Sequence, residues 1–241
     1  MSEVPQHQLV DAAVFKAVRE ILVGRTGKGL TQEDVRLINL ALALDDPAPA
    51  PVPANVVRDR LNTKVLLELF GHEAIVQEMY LDSKKVETWS AGLTAASGIN
   101  VRQFKDNPQS LQVCIDAVVD RLRKVYVPSV LSAFNGSPLS DEQFAAALSF
   151  DFNTGAIRRA DWVKSYLAGR TAQAYREFMN WKSPPEIIER REKERELFFN
   201  NKWSQDGKVA VYTVRKPSYA PNWGSRKRVD VTAEIQKALG V

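Results

Sequence analysis

Four prolines at every second position, Pro47, Pro49, Pro51 and Pro53, set the strongest limit on how this 241-residue chain can fold. A proline ring removes a backbone donor and clashes with the preceding helical turn. The run Asp45–Ala54 therefore excludes helix and favours an extended, semi-rigid spacer. The pattern predicts a linker at residues 47–54 with separately organised segments on either side. On the N-terminal side, Leu9, Val10, Ala13, Val14, Ala17, Val18, Ile21 and Leu22 recur at three- and four-residue intervals, as on one face of a helix. Gly24–Gly29 interrupts them, Thr31 and Asp34 signal a new start, and Val35, Ile38 and Leu42 carry a second helix to about Leu44. Residues 1–46 are expected to form a small helical hairpin that is marginal alone and packs on something else.

Beyond the linker, the apolar positions Val65, Leu66, Leu69, Phe70, Ile75 and Val76 predict a helix over 63–77. From Met79 to Thr94 the pattern turns strand-like around Asp82-Ser83-Lys84-Lys85, which predicts a β-hairpin or small sheet. Past Gly98 the chain reads as helical nearly throughout. Pro108 opens a helix to about Val125 with Asp106 or Asn107 as its cap, and a short helix is expected at 128–134. Ser140-x-x-Gln143 is a capping box for the apolar segment Phe144–Phe152, which Gly155 ends. Further helices are expected over 161–168 and 172–180. Ser183-Pro184-Pro185-Glu186 then starts a charged helix over 187–199, whose alternating Glu and Arg residues read mostly as a solvated face laced by i,i+4 pairs. Residues 208–214 and the stretch around Val229 and Val231 read as strands, with a terminal helix from Thr232. The fold class is α+β, mostly α, with a main domain at 55–205 and a C-terminal extension at 206–241.

Composition narrows function mainly by exclusion. At 44% hydrophobic and 26% charged the chain is an ordinary globular one. It has no apolar run near the roughly 18–20 residues that span a bilayer, so no stable membrane insertion is expected. Met1–Val10 lacks a basic stretch followed by an apolar one, and no secretory signal is read there. A single cysteine, Cys114, excludes an internal disulfide and a cysteine-based metal site, and it falls in an apolar-periodic segment as a buried inert thiol. His7 and His72 are the only histidines and cannot build a three-His site. A net charge of +4 suits an anionic partner. No helix-turn-helix or aromatic–basic platform supports nucleic acid as that partner.

Chemistry then falls to carboxylates. Glu73 ends an apolar helical run, Asp82 follows nine positions on in a polar turn, and Thr88 lies six beyond that. Splitting a glycosidic bond needs a protonated acid and a second carboxylate that aligns water or attacks carbon. The first requires a drier setting than the second. The apolar neighbours of Glu73 and the polar turn at Asp82 supply that contrast, and the Thr88 hydroxyl is available to orient a water. Spacing alone does not select this pair, since a chain with 29 acidic residues holds many such Glu–Asp pairs.

The wider pattern does. His72-Glu73, then Tyr80-Leu81-Asp82, then Thr88-Trp89-Ser90-Ala91-Gly92 resembles the phage lysozymes (endolysins) of glycoside hydrolase family 24. Two further stretches match that family in order. Ser149-Phe150-Asp151-Phe152-Asn153-Thr154-Gly155 is similar to its Ser-Phe-x-Phe-Asn-x-Gly helix. Ile187–Phe198 is similar to its helix carrying Arg-Arg-x-x-Glu.

The resemblance implies a lysozyme-like fold, a hairpin lobe and a helical lobe flanking a cleft. It implies Glu73 as general acid, Asp82 as second carboxylate and Thr88 as a residue placing the nucleophilic water. Thr94, Phe152 and Asn153 would border the saccharide cleft. The family cleaves the β-1,4 bond between N-acetylmuramic acid and N-acetylglucosamine in peptidoglycan without metal or cofactor. Its T-even relatives invert the anomeric centre, which would make Asp82 a water-positioning base. The implied protein is a monomer held in the host cytoplasm until a holin-type release brings it to the cell wall. A non-catalytic phage-particle or wall-binding protein on the same fold is the alternative.

Several positions depart from the family pattern. Ala74 replaces the glycine after the acid, Lys85 replaces a turn glycine, Ser90 stands at the first glycine of Gly-x-Gly, and Leu93 stands at the histidine. An altered hairpin backbone is therefore expected. His72 is expected to be partly buried and hydrogen-bonded, Glu78 and Glu87 solvated, and Arg190 and Arg191 structural, pairing with acids around the cleft. Trp89 and Trp181 are open between sugar stacking and core burial. Arg226-Lys227-Arg228 is open between contact with an anionic wall and a solubilising charge run.

Overall fold

The computed structural model describes residues 60–241. The helical hairpin expected at 1–46 and the linker expected at 47–54 lie outside the described residues.

The first described helix, α1 (Thr63–His72), starts where the Asn62 side chain accepts from the Val65 amide at 3.0 Å. Val65, Leu66, Leu69 and Phe70 are fully buried along one of its faces. The helix stops at His72 instead of running to Gln77. Glu73 is already extended (φ −107°, ψ 157°), and Ala74–Leu81 forms strand β1. The reason is a partner far along the chain. Ile75 pairs with Val211 and Val76 with Tyr212 in parallel register, in strand β4 (Lys208–Val214). These pairings draw β-branched residues of a helix-like apolar run into the sheet.

Strands β2 (Glu87–Ser90) and β3 (Leu93–Thr94) complete the antiparallel hairpin lobe, and β5 (Pro221–Asp230) forms the far edge, giving the order β3-β2-β1-β4-β5. The last helix, α8 (Thr232–Leu239), packs on α1 and on α2 (Leu111–Arg121), and Val209, Val231 and Ile235 are fully buried in the common core. The segment expected as an extension at 206–241 is thus built into the sheet and core of the main body.

The helical lobe follows the sequence pattern closely, with a few displaced ends. Ser110, not Asp106 or Asn107, caps α2, and a π turn over Leu122–Tyr126 leads into α3 (Val127–Ala133). The central helix α4 (Asp141–Thr154) has the Ser140–Gln143 capping box at its start and left-handed Gly155 (φ 61°) at its end. Helices α5 (Asp161–Leu167) and α6 (Thr171–Phe178) surround it with an aromatic cluster in which the Trp162 and Phe178 rings lie 4.5 Å apart. Helix α7 (Ile188–Asn200) packs on α4 through Arg191, Glu194, Leu197 and Phe198, all buried. Its charges are therefore not all solvated: this face turns inward, and the buried charges are paired with each other. Trp89 is buried and stacks on Phe104 at 3.8 Å, which is the core alternative, while Trp181 is partly buried with its ring edge-on to Phe150.

Candidate active site

Glu73 is the C-cap of α1, where the chain changes direction from helix to strand. Its side chain retains 19% exposure, and its Oε1 accepts from Arg190 Nη1 at 2.5 Å. Glu73 borders a pocket whose hairpin wall is Ala91, Gly92 and Leu93 and whose helical wall includes Tyr126, Phe152 and Asn153. The two lobes meet there. The apolar setting expected for Glu73 is corrected: Leu69, Phe70, Ile75 and Val76 are buried, while the cap side chain leaves that face and meets a guanidinium.

That guanidinium belongs to a network on α7 and α4. Arg190 Nε donates to Glu194 at 2.9 Å, and its Nη2 donates to the Ser149 carbonyl at 3.0 Å. The Ser149 hydroxyl donates to Glu194 at 2.6 Å. Arg191 pairs with the other oxygen of Glu194 and donates to Asn153 Oδ1 at 2.6 Å. Burial opposes the charge on Glu194, but Arg191 and Arg190 beside it hold its carboxyl below the ordinary carboxylate range. One buried acid thereby fixes two arginines, one reaching Glu73 and the other Asn153.

Asp82 closes the β1–β2 turn. Its Oδ1 accepts from the amides of Lys84 and Val86, each at 2.8 Å. Thr88 is 3% exposed and donates its hydroxyl to the Val86 carbonyl at 3.0 Å. In register, Tyr80 faces Thr88 and Thr88 faces Thr94, so these three form one row across the hairpin sheet. Thr94 is buried, and its amide donates to Ser97 Oγ at 3.3 Å. The pocket around Glu73 thus takes in Phe152 and Asn153 directly, while Asp82, Thr88 and Thr94 belong to the adjoining hairpin and do not line it.

Tyr80 connects the two acids. Burial raises its phenol above the ordinary range, and the Glu73 and Asp82 carboxylates raise it further, so both charges act on this ring. Tyr80 and Tyr126 were not singled out as cleft residues. Tyr80 was legible in the Tyr-x-Asp motif; Tyr126 lies in the π turn, which carries no comparable signal, and its ring stands 5.0 Å from that of Phe152.

The hairpin departures keep glycine-type geometry without glycine. Ser90 has φ 55° and Lys85 φ 65°, both in the left-handed region that side chains disfavour. The Ser90 hydroxyl donates to the Cys114 carbonyl at 3.0 Å, which anchors the strained residue on α2. Leu93, at the expected histidine position, is a buried pocket wall. Burial pushes the Cys114 thiol up to about 12, in keeping with an inert role. His72 is partly buried as expected, its side chain turned inward with Nε2 3.3 Å from Glu68. Glu78 is not simply solvated, since it accepts from the Asp106 amide at 2.9 Å and pairs with Lys216. Glu87 holds Arg102 at 2.6 Å.

A helix-capping acid between a β-hairpin and a helical wall is the arrangement of a lysozyme-type glycoside hydrolase. Residues 71–194, more than half of the 241, match the model of the phage lysozyme family, and the chain belongs to that family. No match is found among curated proteins. Among solved structures the chain is similar to the muramidase domain of SpmX from Asticaccaulis excentricus, at 21% identity and TM-score 0.44, covering 57% of this chain and 95% of that one. It is similar to a variant of P22 lysozyme at 20% identity and TM-score 0.46, covering 57% and 97%. An endolysin from Escherichia coli O157:H7 phage FAHEc1 gives 15% identity and TM-score 0.43, covering 60% and 96%. The assignment rests on the family match and not on these distant likenesses.

Proposed function

We propose that the chain is an endolysin that hydrolyses the β-1,4 bond between N-acetylmuramic acid and N-acetylglucosamine in peptidoglycan. The observation that carries this reading is the position of Glu73 on a pocket walled by both lobes. Glu73 protonates the leaving glycosidic oxygen. Asp82 and Thr88 place the water that attacks the anomeric carbon, with Thr94, Phe152 and Asn153 bordering the sugars. Both acid and carboxylate are supplied by the chain itself, so the reaction runs without metal or cofactor. Two features of the hairpin suit the second role. Asp82 uses Oδ1 to close its turn, so Oδ2 is the oxygen left for water. The Thr88 hydroxyl donates to a carbonyl and keeps its lone pairs to accept. The protein acts as a monomer, waits in the host cytoplasm, and reaches the wall after holin-type release.

The test is a turbidity or zymogram assay on Gram-negative peptidoglycan with wild type, Glu73→Gln and Asp82→Asn. Asparagine keeps an acceptor for the turn amides, so Asp82→Asn removes the charge while sparing the hairpin. Active wild type with both variants reduced by at least about 100-fold is the expected result. Inert wild type favours a non-catalytic particle or wall-binding protein, and near-full activity in Glu73→Gln removes the assigned acid. Reducing-end product analysis separates hydrolysis from transglycosylation, which releases an anhydro sugar.

A further inference from the structure

Strand β5, an edge of the sheet among the described residues, carries the motif Trp223-Gly224-Ser225-Arg226-Lys227-Arg228 that the site above does not use. Its ladder with β4 runs Val211 to Lys227 and then Thr213 to Asn222, so the four residues Trp223–Arg226 oppose the single residue Tyr212. Such a bulge re-aims side chains at a sheet edge. This one is stapled. The Thr213 amide donates to Ser225 Oγ at 2.9 Å, and that hydroxyl donates to the Asn222 carbonyl at 2.7 Å.

The bulge presents Trp223 at 65% exposure with its ring edge-on to Tyr212, centroids 5.1 Å apart. Basic residues alone would be explained as protection of an edge strand against pairing with another chain. A tryptophan held outward on a stapled bulge has no such explanation, because it adds exposed apolar surface at the edge. Close by, Arg226 and Arg228 line a second pocket together with His72 and Arg190. His72 precedes Glu73 in the chain and Arg190 bonds to Glu73, so this pocket adjoins the catalytic one. It also contains acids. Arg228 is held by Asp206 at 2.6 Å and Lys193 by Glu189 at 2.7 Å, with Glu186 nearby. Arg226 is exposed and without an ion-pair partner among the described residues.

We propose that the β5 bulge, with Trp223 supported by Tyr212 and with the guanidinium of Arg226, is an accessory surface for the peptidoglycan strand outside the cleft. Its ligand chemistry is a sugar ring for the indole face and a stem-peptide carboxylate for the guanidinium. The occupant is the substrate polymer itself because the surface continues from the pocket next to Glu73. The inference rests on the reading of peptidoglycan as substrate. The bulge lies outside residues 71–194, which match the family.

The experiment is co-sedimentation of the full chain carrying Glu73→Gln with purified insoluble peptidoglycan, so that binding is read without turnover. Adding Trp223→Ala or Arg226→Glu is expected to weaken retention about tenfold each, the loss of about 1.4 kcal/mol per contact. Trp223→Tyr is expected to retain most of the binding. Trp223 is mostly exposed, so its replacement leaves the core intact. Should Trp223→Ala nevertheless misfold, Arg226→Glu and Trp223→Tyr decide by the same readout. Unchanged retention in these variants overturns the proposal even if the wild type cleaves peptidoglycan. Retention on anionic phospholipid vesicles but not on peptidoglycan also overturns it, in favour of a membrane surface. Trp223-dependent retention supports it even if the wild type proves inert, in which case only the hydrolytic assignment fails.

Discussion

The amide of Leu81 donates to the carbonyl oxygen of Tyr219 at 2.7 Å, tying the hairpin that carries Asp82 to the turn between the last two strands. Around this bond, Lys216 pairs with both Glu78 and Asp106, and the Tyr219 hydroxyl donates to Asp106 at 2.7 Å. The C-terminal strands thus buttress the hairpin as well as extend the sheet.

A chain ending at Gln205 is therefore expected to fail as a minimal enzyme. It loses the fully buried Val209, Val231 and Ile235, each worth about 1.5–3 kcal/mol, against a typical net stability of about 5–15 kcal/mol. It also uncovers β1 as an edge. Soluble yield and a thermal melt check this. A soluble truncation that melts cooperatively would show that 206–241 is dispensable.

Arg190 spans Glu73, Glu194 and Ser149, which no lysine ammonium can match in geometry. Arg190→Lys is expected to lower kcat about 10–100-fold through misplacement of the Glu73 carboxylate, with KM nearly unchanged. Steady-state kinetics on soluble peptidoglycan fragments would show the split. Removal of Glu194 by Glu194→Ala strands Arg191 in the interior and is expected to destabilise by about 3–5 kcal/mol, read by denaturant unfolding.

Ser90 separates backbone strain from hydrogen bonding. Ser90→Ala keeps the left-handed backbone and loses the bond to Cys114, so a loss of about 1 kcal/mol is expected. Ser90→Gly loses the same bond but relieves the strain, and a near-neutral effect is expected. Thermal melts of the two variants give the ranking; a glycine variant less stable than the alanine one would contradict this account.

Asp151 is 2% exposed on α4, and burial pushes its carboxyl up to about 6 despite a hydrogen bond from the Ile157 amide at 3.1 Å. The unfolded chain binds that proton only below about 3.9. Between those values the folded state holds a proton that the unfolded state has released, so stability falls as pH rises from about 4 to 6. Above 6 the buried charge persists as a penalty. Asp151→Asn is expected to be near-neutral at pH 4 and to stabilise by about 3 kcal/mol at pH 7.5. Unfolding free energies across this range check both the sign and the window.

Much of the fold was legible because its signals are local. The Ser140–Gln143 box and Gly155 bound a helix in sequence and in structure, and the turn residues at 82–85 close the hairpin they predicted. The errors share a cause. Ile75 and Val76 continue a helical apolar pattern, and only the distant strand β4 shows that they are sheet residues. Arg191 pairs with a buried acid as its sequence reading has it, but the inward turn of Glu194 is hidden in a helix whose charges look mostly solvated, because charge is visible in a sequence and the helix opposite is not. At the site, motif order pointed to Glu73, Asp82 and Thr88, but the setting of Glu73 was misjudged because its neighbours in sequence are not its neighbours in space.

The sequence by itself determined most of the helical segments beyond Gly98, where the hairpin turns, and the order in which the family's acidic and hydroxyl residues follow one another. Caps, periodicity and turn chemistry act over one or two turns of chain, so they need no tertiary partner. Only the tertiary structure decided that Glu73 meets Arg190, 117 residues away, that β4 enters beside β1, and that Trp223 stands outward on a stapled bulge. Those outcomes depend on which surfaces meet when the core closes, and buried charges and edge strands take their character from that meeting.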